Sequence, residues 1–324
     1  MTRVCLWLLA IQVTIGSGAF AQTDGTIQLP RGEQGTTTGR RTPPPRSTTT
    51  ASEPKPWTIF GRASNGVASN VNFDQEDLGS YGVVLAGGVG YAGDDFELTY
   101  ELAGHSFTNT TQWDRISQRI EATFERDLSA NWEFEAVGQI GFKGSSEDRD
   151  IVDQDLEIMP RLEYRFSPER RLRLFTAHRL KRYNDAPETN ALKHYVGAEF
   201  REMLGPRRHW EVGGRFETND EGLDRGDYRR RTYWLEHGIP LTDRDSLVMQ
   251  IRYRLKHYTY RFVEVEDEDV LRTDHRFVPS ITWIRAINHM FEMRFDYTYE
   301  SNDSNDPEKA YGAHLAWSSF GVRW

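Results

Sequence analysis

The sequence has almost no cysteine and no long apolar run. Its only cysteine is Cys5, and a single thiol can form neither an intramolecular disulfide nor a cysteine metal site. No stretch approaches the roughly 20 apolar residues of a transmembrane helix, and the mean hydropathy is −0.68, so a helical membrane protein is excluded. Basic residues are fewer than acidic ones, 40 against 49, and the net charge is −9. This balance argues against nucleic acid as a partner, because nucleic-acid binding needs a basic surface.

Residues 1–21 have the features of a secretory signal. Arg3 supplies the positive charge, Leu6 to Ile15 form an apolar run, and Ala19-Phe20-Ala21 is an A-x-A cleavage site. The apolar run is too short to span a bilayer. We therefore predict cleavage after Ala21, which would leave the mature chain without cysteine.

Residues 22–56 have a different composition. The stretch 36–46 consists of Thr, Gly, Pro and Arg, and such a segment cannot bury enough apolar surface to offset the entropy lost on ordering. We predict a disordered tether. The alternative is a segment that binds a partner or plugs a pore.

From Trp57 onward the chain alternates apolar and polar residues. Within residues 155–166, every even position is Leu, Ile, Pro, Tyr or Phe, and every odd position except Met159 is charged. A period of two predicts β-strands and fits no helix. Counting such segments predicts about fourteen strands, near 57–63, 80–91, 95–107, 112–126, 130–143, 151–166, 170–183, 190–203, 207–219, 227–241, 245–262, 269–286, 288–301 and 309–324.

The connections between these strands alternate in length. Short turns, such as 93–94 and 167–169, alternate with longer and mostly acidic loops, such as 144–150 and 302–308. Short turns on one side and long loops on the other are typical of transmembrane β-barrels. A soluble β-sandwich is the alternative, but its strands average only about five or six residues.

Aromatic residues lie at the strand ends next to the short turns. Amphipathic rings favour the headgroup level of a membrane, where barrels carry aromatic girdles. The predicted interface aromatics are Trp57, Phe96, Trp132, Phe166, Trp210, Trp283, Phe291 and Trp324. The predicted second girdle, at the opposite interface, is Tyr81, Tyr183, Tyr297, Tyr299 and Tyr311.

The signal, the alternating strands, the loop asymmetry and the final Ser318–Trp324 segment with its last aromatic together resemble Gram-negative outer-membrane β-barrel proteins of the porin-like class. The resemblance covers residues 57–324 and identifies no subfamily. It implies an all-β fold, a transmembrane antiparallel up-and-down β-barrel in the bacterial outer membrane. It also implies contact with outer-membrane lipid and lipopolysaccharide, insertion by the barrel-assembly machinery, and a periplasmic tether at 22–56 that could meet a periplasmic partner. No cofactor and no metal is expected.

One detail of the last strand departs from the alternation. Leu315 and Trp317 are odd-numbered, whereas Phe320, Val322 and Trp324 are even-numbered. If all five face outward, a β-bulge near Ser318 must lie between them.

In a barrel, the polar face of each strand lines the interior. The predicted basic lining is Arg115, Arg119, Arg171, Arg173, Arg179, Lys181, Arg215, Arg230, Arg252, Arg254, Lys256, Arg272, Arg276 and Arg294, with Tyr258 and Tyr260 continuing the 252–256 row. The predicted acidic lining is Glu97, Glu101, Glu121, Glu133, Glu135, Glu157, Glu163, Glu211, Glu217, Glu292 and Asp296. Arginine rows suit carboxylates and phosphates, and charged linings set pore selectivity. The lining favours a passive channel or export portal for polar, anionic solutes or polysaccharide, or equally a closed barrel whose acids and bases pair across strands.

An outer-membrane hydrolase is the rival from another functional class. His105 and Ser106 are the best available pair for such a site, but no G-x-S-x-G or H-E-x-x-H motif occurs. We therefore predict no enzyme activity. The acidic segment 264–269 lacks the spacing of a calcium loop. It is predicted to be a solvated charge run, with divalent ions bridging lipopolysaccharide as the alternative.

The hairpin formed by 151–166 and 170–183 allows a register to be predicted. Both strands place odd-numbered residues inward, and three residues remain for the turn. Pairing Phe166 with Arg170 sets Glu163 opposite Arg173, Glu157 opposite Arg179, Asp155 opposite Lys181 and Arg165 opposite Arg171. Opposite charges across a strand pair contribute roughly 0.2–1 kcal/mol each.

Overall fold

The computed structural model describes residues 57–69, 79–108, 114–145, 151–184, 187–222, 226–265 and 267–324. The predicted signal 1–21 and tether 22–56 lie outside the described residues. Arg115 is described through its backbone, which pairs with His105 and Ser145.

Fourteen antiparallel strands form one closed barrel. They are β1 Trp57–Ala68, β2 Ser80–Ala92, β3 Phe96–Phe107, β4 Arg115–Asp127, β5 Trp132–Ser145, β6 Ile151–Arg165, β7 Arg170–Tyr183, β8 Ala191–Gly205, β9 Arg208–Glu221, β10 Tyr228–Pro240, β11 Asp245–Val265, β12 Glu268–Ala286, β13 Phe291–Ser304 and β14 Tyr311–Arg323. Each strand pairs with its neighbours in sequence, and β1 pairs with β14 to close the barrel. The predicted up-and-down barrel of about fourteen strands is confirmed.

Two single-turn 3₁₀ helices, Pro187–Thr189 and Pro307–Lys309, lie in loops on the long-loop side of the barrel. Within the described part of the chain, no helix is long and apolar enough to cross a membrane.

The β6–β7 hairpin has the register predicted from its sequence. Glu163 lies opposite Arg173, Glu157 opposite Arg179, Asp155 opposite Lys181 and Arg165 opposite Arg171. The side-chain period of two explains why this register is favoured, because a slip of one residue would bring Leu156, Ile158 and Leu162 to the inner face. Leu156 and Ile158 are instead among the exposed apolar residues of the outer face.

The predicted bulge in the last strand is wrong. The pairing of β14 with β13 runs without a shift from Tyr311 to Val322, and its pairing with β1 is also unbroken. Strict alternation therefore puts Leu315 and Trp317 on the inner face, opposite to Phe320. Trp317 has only 2% of its surface exposed and packs inside the barrel. An apolar side chain can thus serve either face, and apolarity alone does not decide the side.

A real irregularity occurs between β11 and β12, where the register shifts between His257 and Phe262. Before this β-bulge the even-numbered residues of β11 face inward, and beyond it they face outward. Tyr260 is consequently exposed, although it was predicted to continue the inner row. β11 and β12 are also the longest strands, with 21 and 19 residues, so their hairpin rises above its neighbours on the long-loop side.

The outer face is apolar and carries the aromatic girdle. The predicted interface aromatics all lie on the outer face near the short turns, and several form ladders: the Trp132 and Tyr164 rings are 4.7 Å apart, and the Phe291 and Phe320 rings 5.6 Å. Toward the long loops the outer face becomes polar, with Tyr297 Oη 2.7 Å from His314 Nδ1. Rings at both ends of an apolar band are typical of a membrane-spanning barrel.

The predicted second girdle is correct only in part. Tyr81, Tyr297 and Tyr299 lie on the outer face, but strand parity turns Tyr183 and Tyr311 inward. Tyr311 Oη donates a hydrogen bond to the inner carboxylate of Glu300 at 2.5 Å. A tyrosine near a strand end therefore indicates the interface only when its parity matches the outer face.

Candidate functional site in the barrel interior

Strand parity places the predicted charged residues on the inner face, opposite the apolar band. Glu97 and Glu292 lie at the ends of β3 and β13 beside short turns and are exposed. Glu101 meets Arg62 at 3.8 Å, Arg119 pairs with Glu121, and Arg294 pairs with Asp296 at 2.6 Å. Most of the remaining residues form two distinct regions of the inner wall.

The first region, here called the paired wall, lies on β5–β9 toward the short turns. It consists of equal numbers of bases and acids: Arg161, Arg165, Arg171, Arg173 and Arg201 with Glu133, Glu135, Glu163, Glu199 and Glu211. Their charges cancel in number, and most of these side chains are buried. A balanced, hydrogen-bonded network of this kind fills space without giving the interior a net charge.

Glu163 is the centre of the paired wall. Its carboxylate lies 3.4 Å from Arg165, 3.3 Å from Arg171 and 3.0 Å from Arg173. Arg173 also reaches Glu199 at 2.6 Å. The like-charge pair predicted between Arg165 and Arg171 is therefore bridged by a shared carboxylate, which removes its repulsion.

Arg179 shows that register and ion pairing are different properties. It lies opposite Glu157, yet its Nε donates to Asp155 at 2.7 Å and is 3.4 Å from Glu157. Glu157 accepts a hydrogen bond from Tyr195 Oη at 2.6 Å. Lys181, which faces Asp155 in register, lies 3.4 Å from the hydroxyl of Tyr183. A long arginine reaches diagonally, so the directly opposed partner need not be the nearest one.

The second region, here called the basic wall, lies on β8–β12. Its cations are Lys193, Arg215, Arg230, Arg252, Arg254, Lys256, Arg272 and Arg276. Four carboxylates contact them, one of which is Asp306 at 3.6 Å from Arg272. Glu217 lies 3.4 Å from Arg215 and 2.7 Å from Arg230. Asp274 binds Arg272 and Glu300 binds Arg276, both at 2.9 Å. Unlike the paired wall, this region has a clear excess of positive charge.

The register explains how the cations accumulate. One row of directly opposed inner positions reads Arg215, Thr232, Arg254, Arg276 across four strands. No carboxylate occupies this row between its arginines. Arg254 Nε is buried without a hydrogen-bond partner among the described residues, as are Arg215 Nε, Arg230 Nε and the Thr232 hydroxyl. An excess of guanidinium groups is suited to anions such as carboxylates and phosphates.

Two tyrosines hold the cations of the basic wall in place. The Lys256 ammonium lies 4.2 Å from the ring centroid of Tyr228 and 4.1 Å from that of Tyr258. Arg272 lies 4.7 Å from the Tyr258 centroid, and Lys193 lies 5.4 Å from that of Tyr228. Cation–π contacts of this kind fix the position of a charge without neutralising it.

Lys193 of the basic wall, and Arg261 and Lys309 next to it, were not among the predicted lining residues. Lys193 has inner parity on its strand, and the alternation would have identified it. Arg261 follows the bulge in β11, where parity counting fails. Lys309 lies in a 3₁₀ helix, where a period of two gives no information.

Across from the basic wall, the part of the inner face near the long-loop mouth is apolar. Ala68, Val84, Ala103, Phe107 and Trp317 form a buried cluster on β1, β2, β3 and β14. Phe107 and Ala68 end their strands on the long-loop side, so this cluster narrows the interior near that mouth.

The His105–Ser106 pair is not brought together. The two residues are adjacent on β3 and point to opposite faces; His105 Nε2 lies 3.1 Å from Ser117 Oγ, and Ser106 Oγ donates to Asp114 at 3.2 Å. Across the described ranges, no group of three or more His, Cys, Asp or Glu side chains is placed to hold a metal ion.

The acidic segment 264–269 forms the tip of the β11–β12 hairpin. Glu264 lies opposite Asp269, and both are exposed. Residue 266 lies outside the described residues. The described acids of the tip are solvated, in agreement with a solvated charge run.

Comparison with solved structures finds similar barrels. The chain is similar to an anion-selective porin from Comamonas acidovorans at 8% identity, with 83% of this chain and 99% of that chain covered and a TM-score of 0.47. An outer membrane channel from Pseudomonas putida F1 is 12% identical, with 87% of this chain and 100% of that chain covered and a TM-score of 0.47. A bacterial polysaccharide outer membrane secretin is 10% identical, with 82% of this chain and 97% of that chain covered and a TM-score of 0.47. Likenesses at this level carry no argument about solute or mechanism.

No family model and no curated protein sequence matches the chain. The assignment therefore rests on the chain's own closed register, apolar outer face and aromatic girdle. These features make the chain a closed fourteen-stranded antiparallel β-barrel with the apolar outer band and aromatic girdle typical of barrels that span a membrane.

Proposed function

We propose that the barrel is a passive outer-membrane channel for polar anionic solutes. The observation that carries this proposal is Arg254, an inner arginine that lies between Thr232 and Arg276 in register and forms no salt bridge with a carboxylate among the described residues. A structural arginine would be held by a carboxylate, as Arg173 and Arg201 are. An arginine beside other cations is suited to a mobile anion.

The charge distribution supports the same conclusion. The whole chain is acidic, with a net charge of −9, so the excess of cations on the basic wall does not follow from composition. Fixed charges inside a low-dielectric wall attract ions of the opposite sign and raise their local concentration. The paired wall adds no net charge, so the basic wall decides which ions enter.

A closed structural barrel is the second candidate. The balanced ion pairs of the paired wall and the buried Trp317 cluster favour it, because both fill the interior. The two candidates differ in conductance, which only the first requires.

Reconstitution in planar bilayers tests the proposal. With a KCl gradient, the reversal potential of the unaltered protein should report a preference for chloride. The triple change Arg252→Gln, Arg254→Gln, Lys256→Gln should reduce that preference several-fold, because it removes fixed positive charge from the wall, and each single change should matter less.

The control is the pair Arg229→Gln, Arg231→Gln, which removes the same kind of charge from the outer face of β10. This pair should leave the reversal potential unchanged. Absence of conductance would favour the closed barrel. Conductance with unchanged selectivity in the triple variant would mean that the 252–256 row is structural and does not select ions.

A further inference from the structure

The long-loop mouth of the barrel contains a cavity of about 220 Å³. It is lined by five cations, one carboxylate and one tyrosine: Lys256, Arg261, Arg272, Arg276, Lys309, Asp274 and Tyr258. The lining comes from β11, β12 and the 3₁₀ helix Pro307–Lys309. We infer that this cavity is a binding site for a small phosphate-bearing anion, an inference that rests on and deepens the proposed channel function.

The carboxylates around the cavity do not balance its cations. Asp274 is bound by both Nε and Nη2 of Arg272 at 2.9 Å and accepts a hydrogen bond from Ser304 Oγ at 2.7 Å. Glu300 binds Arg276 at 2.9 Å, and Asp306 lies 3.6 Å from Arg272. Three carboxylates therefore face five cations, and the site keeps a net positive charge.

Arg261 and Lys309 supply the uncompensated charge. Among the described residues, neither forms a salt bridge with a carboxylate. Arg261 is positioned by Tyr258, whose ring centroid lies 5.5 Å from the guanidinium carbon. Lys309 is positioned by its backbone: its carbonyl accepts a hydrogen bond from Asn302 Nδ2 at 2.6 Å, and its amide donates to the Asp306 carbonyl at 2.9 Å. Both cations are held at the cavity without being neutralised.

The chemistry of the lining selects phosphate. Guanidinium forks match the oxygens of a phosphate group, and lysine adds a compact positive charge. Tyr258 is almost fully buried by the cations around it, so its face cannot stack on a sugar or a base. The site therefore recognises the charge and the oxygen atoms of a phosphate group and not the ring of a sugar or base.

The size of the cavity limits the ligand. At about 220 Å³ it is much larger than a single-water site, and it is below the roughly 300–1,000 Å³ of pockets for drug-sized ligands. Inorganic phosphate or a small phosphomonoester fits this range. The exposed acids Glu264, Glu268 and Asp269 on the hairpin tip would repel an extended polyanion lying across the rim.

The phosphate group that binds here is expected to be part of a solute inside the barrel and not of a lipid headgroup. Lys256, Asp274 and Arg276 have inner parity in the register, so the cavity opens to the interior of the barrel. A headgroup on the outer surface would meet Arg229 and Arg231 instead.

Isothermal titration calorimetry of the full-length, detergent-folded barrel with inorganic phosphate, at constant ionic strength, tests the inference. The unaltered protein should show saturable binding of one phosphate. The pair Arg261→Gln, Lys309→Gln should weaken binding at least tenfold. Neither change removes a described ion pair, so folding should be preserved, and the heat-dependent gel shift of a closed barrel checks it. Arg229→Gln, Arg231→Gln is the matched control and should bind phosphate as the unaltered protein does.

The outcomes separate the site from the channel. Saturable binding lost in the Arg261–Lys309 pair supports the site even if no current is measured, in which case only the channel proposal fails. Anion-selective current without saturable phosphate binding overturns the site and leaves the channel standing. Equal binding by the unaltered protein and the Arg261–Lys309 pair also overturns it, because the phosphate then binds elsewhere.

Discussion

Gly66 and Trp317 face each other inside the barrel, across the seam between β1 and β14. A Cβ atom at Gly66 would come within 2.5 Å of the Ala316 carbonyl oxygen and 2.7 Å of Trp317 Cγ. The indole thus occupies the space that a side chain at residue 66 would need. Only glycine permits this close approach, and the approach allows a large aromatic residue to have inner parity.

Gly66→Ala should therefore destabilise the barrel by about 1–3 kcal/mol, the usual cost of overpacking, because the carbonyl oxygen cannot move aside as a flexible side chain can. The measurement is the midpoint of denaturant unfolding in detergent. Gly104→Ala is the matched control, since a Cβ there meets no atom within 4 Å. Equal midpoints for the two variants would mean that the seam relaxes around the methyl group.

At the scale of strands, the paired wall ties β5 to β9 through side chains as well as through backbone hydrogen bonds. Glu163 joins three arginines from β6 and β7, and Arg173 carries the connection to Glu199 on β8. Removing one member of a buried ion pair is costly, because the partner stays buried without compensation.

Glu163→Gln should lower the free energy of unfolding by about 3 kcal/mol, because it leaves three arginines short of one carboxylate. Equilibrium denaturation of the refolded protein measures the change. Glu202→Gln is the control. It breaks the 2.7 Å pair with Arg170 on the exposed outer rim, where the expected loss is below about 1 kcal/mol. A loss of similar size in both variants would show that burial does not strengthen this network.

The same elements show what alternation can and cannot predict. The β6–β7 register followed from parity and turn length, because the even positions from Leu156 to Phe166 are all apolar or aromatic and face outward. In β14, Leu315 and Trp317 face inward, and apolarity alone suggested a bulge that does not exist. The bulge in β11 leaves no mark in the alternation, so Tyr260 was predicted on the wrong face and Arg261 was missed. The diagonal pairing of Arg179 with Asp155 depends on side-chain reach, which strand parity does not contain.

At the scale of the whole molecule, closure depends on a seam between strands far apart in sequence. Two backbone hydrogen bonds mark one end of the seam: Ile59 N donates to Trp324 O at 2.8 Å, and Trp324 N donates to Ile59 O at 3.0 Å. An open edge in a membrane would expose unpaired backbone groups to lipid, so a complete seam is required for a stable barrel.

Deleting Trp324 should reduce the fraction of protein that fractionates with outer membranes and runs as a compact band on unheated gels, because both hydrogen bonds and the interfacial indole are lost. Trp324→Ala keeps the two backbone bonds and should have the smaller effect. If Trp324→Ala is as defective as the deletion, the indole rather than the seam controls assembly. Recovery of the unaltered protein in a soluble fraction would contradict the membrane barrel itself.

The row Arg215, Thr232, Arg254, Arg276 also has a direction in space. Arg215 lies in the middle of β9, which starts at Arg208 after a short turn, whereas Arg276 lies farther from the short turn that follows Ala286. The strands of such barrels tilt by about 40° and are spaced about 4.8 Å apart, so three steps across the wall change depth by about 9 Å. The cations therefore lie along a helical path about the barrel axis. An anion passed from Arg276 to Arg254 to Arg215 would turn about the barrel axis as it descends, and its path through the membrane would be a screw rather than a straight line.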